Sequence, residues 1–409
     1  MPNFSRLSQA LAPITFAITL AGCNTTTDTS YEPETQLSDR KVVEAVPKDT
    51  SNVTSPILEA KLAKRDTINP FISWYTTDFA KKDYKLFFTA QPPLSREAIT
   101  LSALQWMYFY PNAPWDYMPG IEQFLTNKDW NHSQEYGETR TIAFADQAFP
   151  DFFASAAASR VKKTGSDGIW LDFWFDTHPS NQYSSAQVSS ARKRLIKSLR
   201  DKLGYDKIIM GNVAWNLERG TLNELNGVFL EFVKSQTAKE SLYSQNELAK
   251  IENSLNYYEN NLLEPKIIAV NGWRATNVTD SSSQNNWDKD RNTSENRKMA
   301  KLLTAMSVVI PTNGYIMYSD NNPDSQKTEH GHLFYDFYSF DIGKPTGPRI
   351  KVSNGVSYKK HQEGFIAYNI TSRAKDFEVK GSDRTISVEP KSGLFCKDSG
   401  EAFDCLTVD

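Results

Sequence analysis

Two acidic residues sit where acids are costly to place. Asp172 lies inside the apolar run "GIWLDFW" (168–174), and Glu231 lies inside "GVFLEFV" (227–233). An unpaired carboxylate buried in such a run is expensive, so each needs a partner or a use. If both runs are extended, alternation groups Trp170, Asp172 and Trp174 on one face, and Phe229, Glu231 and Val233 on one face of the other. One intervening strand would separate their axes by roughly 10 Å, at about 4.8 Å per step. Two inward carboxylates then close the gap to roughly 5–9 Å, the window in which a pair of acids hydrolyses a glycosidic bond. One acid must carry a proton to assist the leaving oxygen, and the other must stay ionised to attack the anomeric carbon or to activate water. A tryptophan beside such a carboxylate raises its pKa and offers a face for a sugar ring. The structural alternative for Asp172 is a helix cap or an arginine partner, although Asp176 is better placed as the cap.

The runs that must carry these acids recur along the chain. They are "FISWYT" (71–76), "KLFFTA" (85–90), "LQWMYFY" (104–110), "GIWLDFW", "KIIMGN" (207–212), "GVFLEFV", "KIIAVNG" (266–272) and "GYIMYSD" (314–320). Near-continuous apolar runs suit parallel strands covered on both faces. Helical patterns lie between several of them: "PDFFASAAASRVKK", "SAQVSSARKRLIKSLRDKLG" and "SENRKMAKLLTAMSVV", the last with Thr293 or Ser294 as a cap and Glu295 in its first turn. This alternation predicts an α/β chain folded as a (β/α)8 TIM barrel over 66–343. The competing doubly wound sheet lacks a Gly-rich phosphate loop after its first strand. Beyond Lys344, short alternating runs broken by Asn-Gly, Glu-Gly and Gly-Ser predict a small C-terminal antiparallel β module over 344–409.

Chemistry in such a barrel gathers at the C-terminal ends of the strands. Besides Asp172 and Glu231, the residues expected there as substrate contacts are Trp174, Asn212, Asn216 in "GNVAWN", Tyr110, Trp115 in "NAPWD", Trp273 in "NGW" and Asp320 in "SDNNPD". Trp106 and Trp130 are further candidates for a sugar groove, and Asp167 reads as a turn residue. His330 and His332 in "EHGH" lack the HExxH or clustered-Cys context of a metal site. No Gly-X-Ser-X-Gly elbow is present to support a serine hydrolase. No metal or organic cofactor is implied.

The chain has 409 residues, a formal net charge of −3 and 12% aromatics, with no basic footprint for nucleic acid. It opens with Arg6, an apolar run from Leu11 to Leu20, and Leu20-Ala21-Gly22-Cys23. That is an export signal too short for a comfortable bilayer span. Its end resembles a bacterial lipoprotein lipobox, which implies removal of 1–23 up to a lipidated Cys23 and an N-terminal lipid anchor in the membrane. Asn24 after it points to the outer membrane by resemblance to lipoprotein sorting rules. The polar stretch 24–65 reads as a flexible tether. With Cys23 lipidated, Cys396 and Cys405 remain, and an exported context predicts a disulfide between them.

"PDFFASAAASRVKKTGSDGIWLDFW" resembles the helix–Gly-Asp-Gly–strand–Asp segment of bacterial glycoside hydrolases of the hypothetical glycosyl hydrolase group 15 and, more remotely, of endo-α-1,4-polygalactosaminidase-like barrels. The resemblance continues through "GNVAWN", "LNGVFLEF", "KIIAVNGW" and "TNGYIMYSD", and into "YKKHQEGFIAYNITSRAKDFEVKG". It implies hydrolysis of a surface or extracellular polysaccharide, with Asp172 and Glu231 as the catalytic pair. Asp172 is expected as nucleophile of a retaining reaction and Glu231 as acid/base, with the reverse assignment open. The first two strands and "FLTNKDWNHSQEYGETR" depart from the family's pattern and leave the sugar undetermined. A non-catalytic glycan-binding or scaffolding lipoprotein is the competing reading, favoured by a carboxylate separation beyond about 11 Å.

Overall fold

A computed structural model of the protein describes residues 55–73, 83–89, 96–110, 118–130, 139–178, 182–233, 242–273, 292–319 and 334–406. The core is an eight-stranded parallel sheet of β1 (Phe71–Ser73), β2 (Leu86–Thr89), β3 (Ile99–Leu104), β7 (Gly168–Leu171), β8 (Ile208–Asn212), β9 (Gly227–Val233), β10 (Ile267–Trp273) and β11 (Gly314–Ser319), in that spatial order. A parallel bridge between Pro70 and Ile316, with Ile316 N–H donating to the Asn69 carbonyl at 3.0 Å, brings the last strand back to the first. The result is a nearly closed TIM barrel followed by a C-terminal β module.

Alternation along each strand sorts the side chains. Inward residues such as Phe71, Leu101, Trp170, Met210 and Tyr315 fill the barrel, while Ile169, Leu171, Val228 and Leu230 belong to the larger core shared with the helices. Within the barrel, Phe88 stacks on Trp170 with ring centroids 5.1 Å apart, and Phe229 meets both edge-on. This filled interior leaves polar chemistry only at the ends.

The expected third strand is displaced. The barrel strand is β3, "ITLSAL", whereas Tyr108–Phe109 (β4) joins Leu125–Trp130 (β5) and Thr139–Ile142 (β6) in a separate antiparallel sheet. Thr100 and Ser102 broke the apolar pattern of β3, yet both are buried, and Ser102 Oγ lies 2.9 Å from Ser166 Oγ. A hydroxyl with a partner can occupy a core position that a hydrophobicity reading gives to a loop.

The helices follow their caps. Phe149–Thr164 (α2) ends on Gly165 with a φ of 69°, and Ser185–Leu203 (α3) starts with a capping box between Ser184 and Gln187. Gln245–Asn261 (α4), a helix absent from the sequence reading, starts with the same device between Ser244 and Glu247. Ser294–Val309 (α5) is capped by Thr293, whose side chain accepts from the Asn296 N–H.

The stretch expected as a tether is folded in its last part. Pro56–Ala63 (α1) is capped by Ser55 and sends Leu58 into the barrel interior. Lys61 Nζ reaches Asp167 Oδ2 at 2.6 Å, and the Thr100 N–H donates to the same oxygen at 2.9 Å. Asp167 is therefore a buried ion-pair residue at the N-terminal end of the barrel, beyond a simple turn role. Residues 24–54 lie outside the described residues.

The C-terminal module is a five-stranded antiparallel sheet ordered β12 (Ile350–Ser353), β13 (Val356–His361), β14 (Gly364–Asn369), β17 (Ser392–Asp398) and β18 (Phe403–Cys405). A hairpin of β15 (Lys375–Glu378) and β16 (Thr385–Val388) completes it. Lys359 Nζ donates to the Val308 and Pro311 carbonyls at 2.7 Å each, fastening the module to the end of α5. Cys396 and Cys405 face each other across β17 and β18 and are joined by a disulfide.

Candidate active site

The site begins where β7 stops being a strand. The Asp172 N–H still donates to the Leu104 carbonyl at 3.2 Å, but Phe173 adopts a left-handed φ of 52°. A non-glycine residue there costs free energy that the surroundings must supply, and such residues gather at functional sites. The turn leaves Asp172 at the barrel mouth and breaks the alternation beyond it. Trp174 consequently points away from Asp172. Its ring is buried against Trp106 at 5.3 Å, lies under the Arg192 guanidinium at 4.8 Å, and donates from Nε1 to Thr221 Oγ1 at 2.9 Å. It is a core residue, and the expected sugar contact from Trp174 is corrected on that ground.

β8 contributes Asn212 to the same rim. One amide nitrogen serves both acids: Asn212 Nδ2 donates to Asp172 Oδ1 at 2.9 Å and to Glu231 Oε2 at 3.3 Å. The Ala214 N–H, donating to Asn212 Oδ1 at 3.0 Å, fixes which way the amide faces. Both carboxylate oxygens contact a single nitrogen, so they lie at most about 6 Å apart. That is well within the separation beyond which direct hydrolysis becomes doubtful.

The two carboxylates live in different electrostatic surroundings. Asp172 accepts from Gln105 Nε2 at 2.9 Å, from Asn212 at 2.9 Å and from the Phe173 N–H at 2.9 Å. Burial pushes its pKa up, and these donors hold its charged form against that push. Glu231 is half-buried beside the Asp172 charge, with only the longer contact from Asn212 among the described residues. Burial first, and the neighbouring charge second, raise its pKa to about 7. The proton of the pair therefore belongs on Glu231 near neutral pH.

Two residues of this rim escaped the sequence reading. Gln105 directly follows β3 and was hidden because that strand was expected over 104–110, which put Gln105 at its start, whereas Asn271 on β10 sits beside Glu231 in register and is buried. Both are polar side chains at the C-terminal end of an apolar run, the signal that singled out Asn212. Trp106 also has a place here, donating from Nε1 to the Asp172 carbonyl at 3.0 Å.

Two other expected contacts, Asn216 and Tyr110, are not brought to the pair. Asn216 is exposed, and its amide donates to the Val213 carbonyl at 3.2 Å, closing its own turn. Tyr110 is buried in the core shared with the helices. Asp176 does not cap a helix; it pairs with Arg192 at 2.5 Å. Trp273 ends β10 with its backbone opposite Val233. Trp115, Asp320, His330, His332 and Cys23 lie outside the described residues. Among the described residues, no cluster of His, Cys, Asp and Glu could hold a metal ion.

No family model matches the chain, and no curated protein does. Solved structures similar to it include several glycoside hydrolases. The glycoside hydrolase domain of PelA from Pseudomonas aeruginosa is 12% identical with a TM-score of 0.41, over 64% of this chain and 97% of that one. An alpha-amylase from Geobacillus thermoleovorans is 14% identical with a TM-score of 0.41, over 73% and 76% of the two chains. A chitinase from Rhizomucor miehei is 12% identical with a TM-score of 0.38, over 64% and 96%.

Proposed function

We propose that the protein is a retaining glycoside hydrolase that cleaves a surface or extracellular polysaccharide, with Asp172 as nucleophile and Glu231 as general acid and then general base. The observation that carries this reading is the shared Asn212 amide. It keeps two carboxylate oxygens within about 6 Å, close to the roughly 5–5.5 Å of retaining pairs and below the roughly 6.5–9.5 Å that an inverting pair needs to admit water. Asp172, with three donors, suits the group that stays ionised and attacks. Glu231, with its pKa raised to about 7, suits the group that delivers a proton to the departing oxygen. After the glycosyl ester forms on Asp172, the charge that raised the Glu231 pKa is gone. Glu231 then becomes more acidic and can take the proton of the incoming water.

The chain is further proposed to be a lipoprotein of the bacterial cell envelope, held through lipid on Cys23 at the outer membrane and related to the group 15 hydrolases that its sequence resembles. Among the described residues no helix is long and apolar enough to cross a bilayer.

Two outcomes test the mechanism. Purified mature protein incubated with polysaccharides from bacterial surfaces should release oligosaccharides whose new reducing ends first carry the anomeric configuration of the substrate, as read by proton NMR during the early phase. Inverted product would remove the double displacement, and failure to cleave any glycan would remove the hydrolase reading. The pH profile supplies the second outcome. Activity requires Asp172 ionised and Glu231 protonated, so kcat/KM should fall as pH rises through about 7, where Glu231 loses its proton, and should fall again in acid as Asp172 gains one. A profile still rising above pH 8 would exclude Glu231 as the acid.

A further inference from the structure

A groove of about 540 Å³ runs between α4 and the C-terminal module, away from the acid pair. Its inner wall carries a paired charge. The half-buried Arg349 donates to Glu252 Oε1 at 2.6 Å and to Asn256 Oδ1 at 2.6 Å, so the guanidinium has its counterion. Its outer wall is different. Gln245, Asn253 and Asn260 on α4, and Asn354 at the β12–β13 turn, are exposed, line the groove and present amides that no described residue engages. From Gln245 to Asn260 the helix spans roughly 22 Å at about 1.5 Å per residue.

The direction of this wall matters. A barrel helix runs antiparallel to the strand before it, so the start of α4 belongs to the face where β9 presents Glu231. The amide stripe therefore starts at the catalytic face and descends along the outside of the barrel. We infer that this groove is a second, non-catalytic binding site for the polymer, taking an uncharged, hydroxyl- or acetamido-bearing stretch of the chain whose cleavage is proposed above. Primary amides both donate and accept, which matches hydroxyl and acetamido groups. No aromatic ring is among the lining residues, Arg349 is paired with Glu252, and the exposed Lys351 is the one further charge in a lining otherwise led by amides. Each contact is weak by itself, and the benefit comes from holding a chain already engaged at the acids.

The test uses the full mature chain carrying Glu231→Gln, so that glycan is bound without being consumed. Its migration is followed in native gels containing a soluble neutral glucan, a soluble N-acetylated hexosamine polymer or a cationic de-N-acetylated one. At least one uncharged polymer should retard it. Adding Asn253→Ala and Asn260→Ala, both at exposed positions, should weaken that retardation about tenfold while leaving the thermal midpoint unchanged. Equal retardation of both proteins, retardation by the cationic polymer alone, or none by any polymer would overturn the groove. Because the readout is binding, loss of retardation in the double variant would support the groove even if the wild-type protein cleaved none of these glycans.

Discussion

Glu231→Gln should lower glycan turnover about 10²- to 10⁴-fold, and Asp172→Asn by at least as much, with both proteins folded. Neither replacement changes side-chain volume, and Glu231 is half-buried with a single long hydrogen bond among the described residues, so its amide loses little structurally. The two defects should differ in kind. Without the Glu231 proton, departure of a poor leaving group fails, whereas a substrate with an acidic phenol as leaving group should still glycosylate Asp172. Such a substrate should produce a burst of phenol with Glu231→Gln, and added azide should speed the second step by attacking without base assistance. With Asp172→Asn no burst should occur on any substrate, because the atom that forms the ester is gone. A burst from Asp172→Asn and none from Glu231→Gln would exchange the two roles. Normal turnover by both would take the pair out of the mechanism.

The largest stability effect is expected from Glu218→Ala, at about 3–5 kcal/mol. Glu218 is buried, pairs with the buried Arg192, and accepts from the Thr221 N–H at 2.6 Å and from Thr221 Oγ1 at 3.0 Å. Removing it leaves the guanidinium in the core with the half-exposed Asp176 as its remaining acid, and frees the hydroxyl that receives Trp174 Nε1. Urea denaturation measures the loss. The double variant Arg192→Leu with Glu218→Leu should recover a good part of it, since the main cost is the orphaned charge. A loss under about 1 kcal/mol for Glu218→Ala would mean that the network is not needed for the fold. Activity should fall alongside stability, because the Trp174 N–H holds the Asn212 carbonyl at 2.7 Å and Asn212 spaces the two acids.

Much of this arrangement was legible in the chain. Continuous apolar runs alternating with capped amphipathic segments identify parallel strands covered on both sides, and the two acids inside such runs announce themselves through the cost of burying them. The Thr293 cap, the strand end at Asn212 and the place of Glu231 near the end of β9 lie where local chemistry puts them. The third strand was not legible, because Thr100 and Ser102 look like loop residues, and only the fold shows both buried, with Ser166 as partner of the Ser102 hydroxyl. The helix over Gln245–Asn261 was not legible either, because its exposed face is crowded with asparagine and glutamate.

The sequence by itself determined the barrel, the small β module behind it and the identity of the two carboxylates, since hydrophobic period and burial cost are local properties of a chain. Tertiary structure alone decided which tryptophan faces whom: the left-handed turn at Phe173 sends Trp174 into the core and keeps Asp172 at the mouth. It also decided that one amide from a third strand, Asn212, bridges both acids and that Gln105 steadies one of them. These are distances between segments remote in sequence, set by strand register and closure of the sheet, and no single run of residues encodes them.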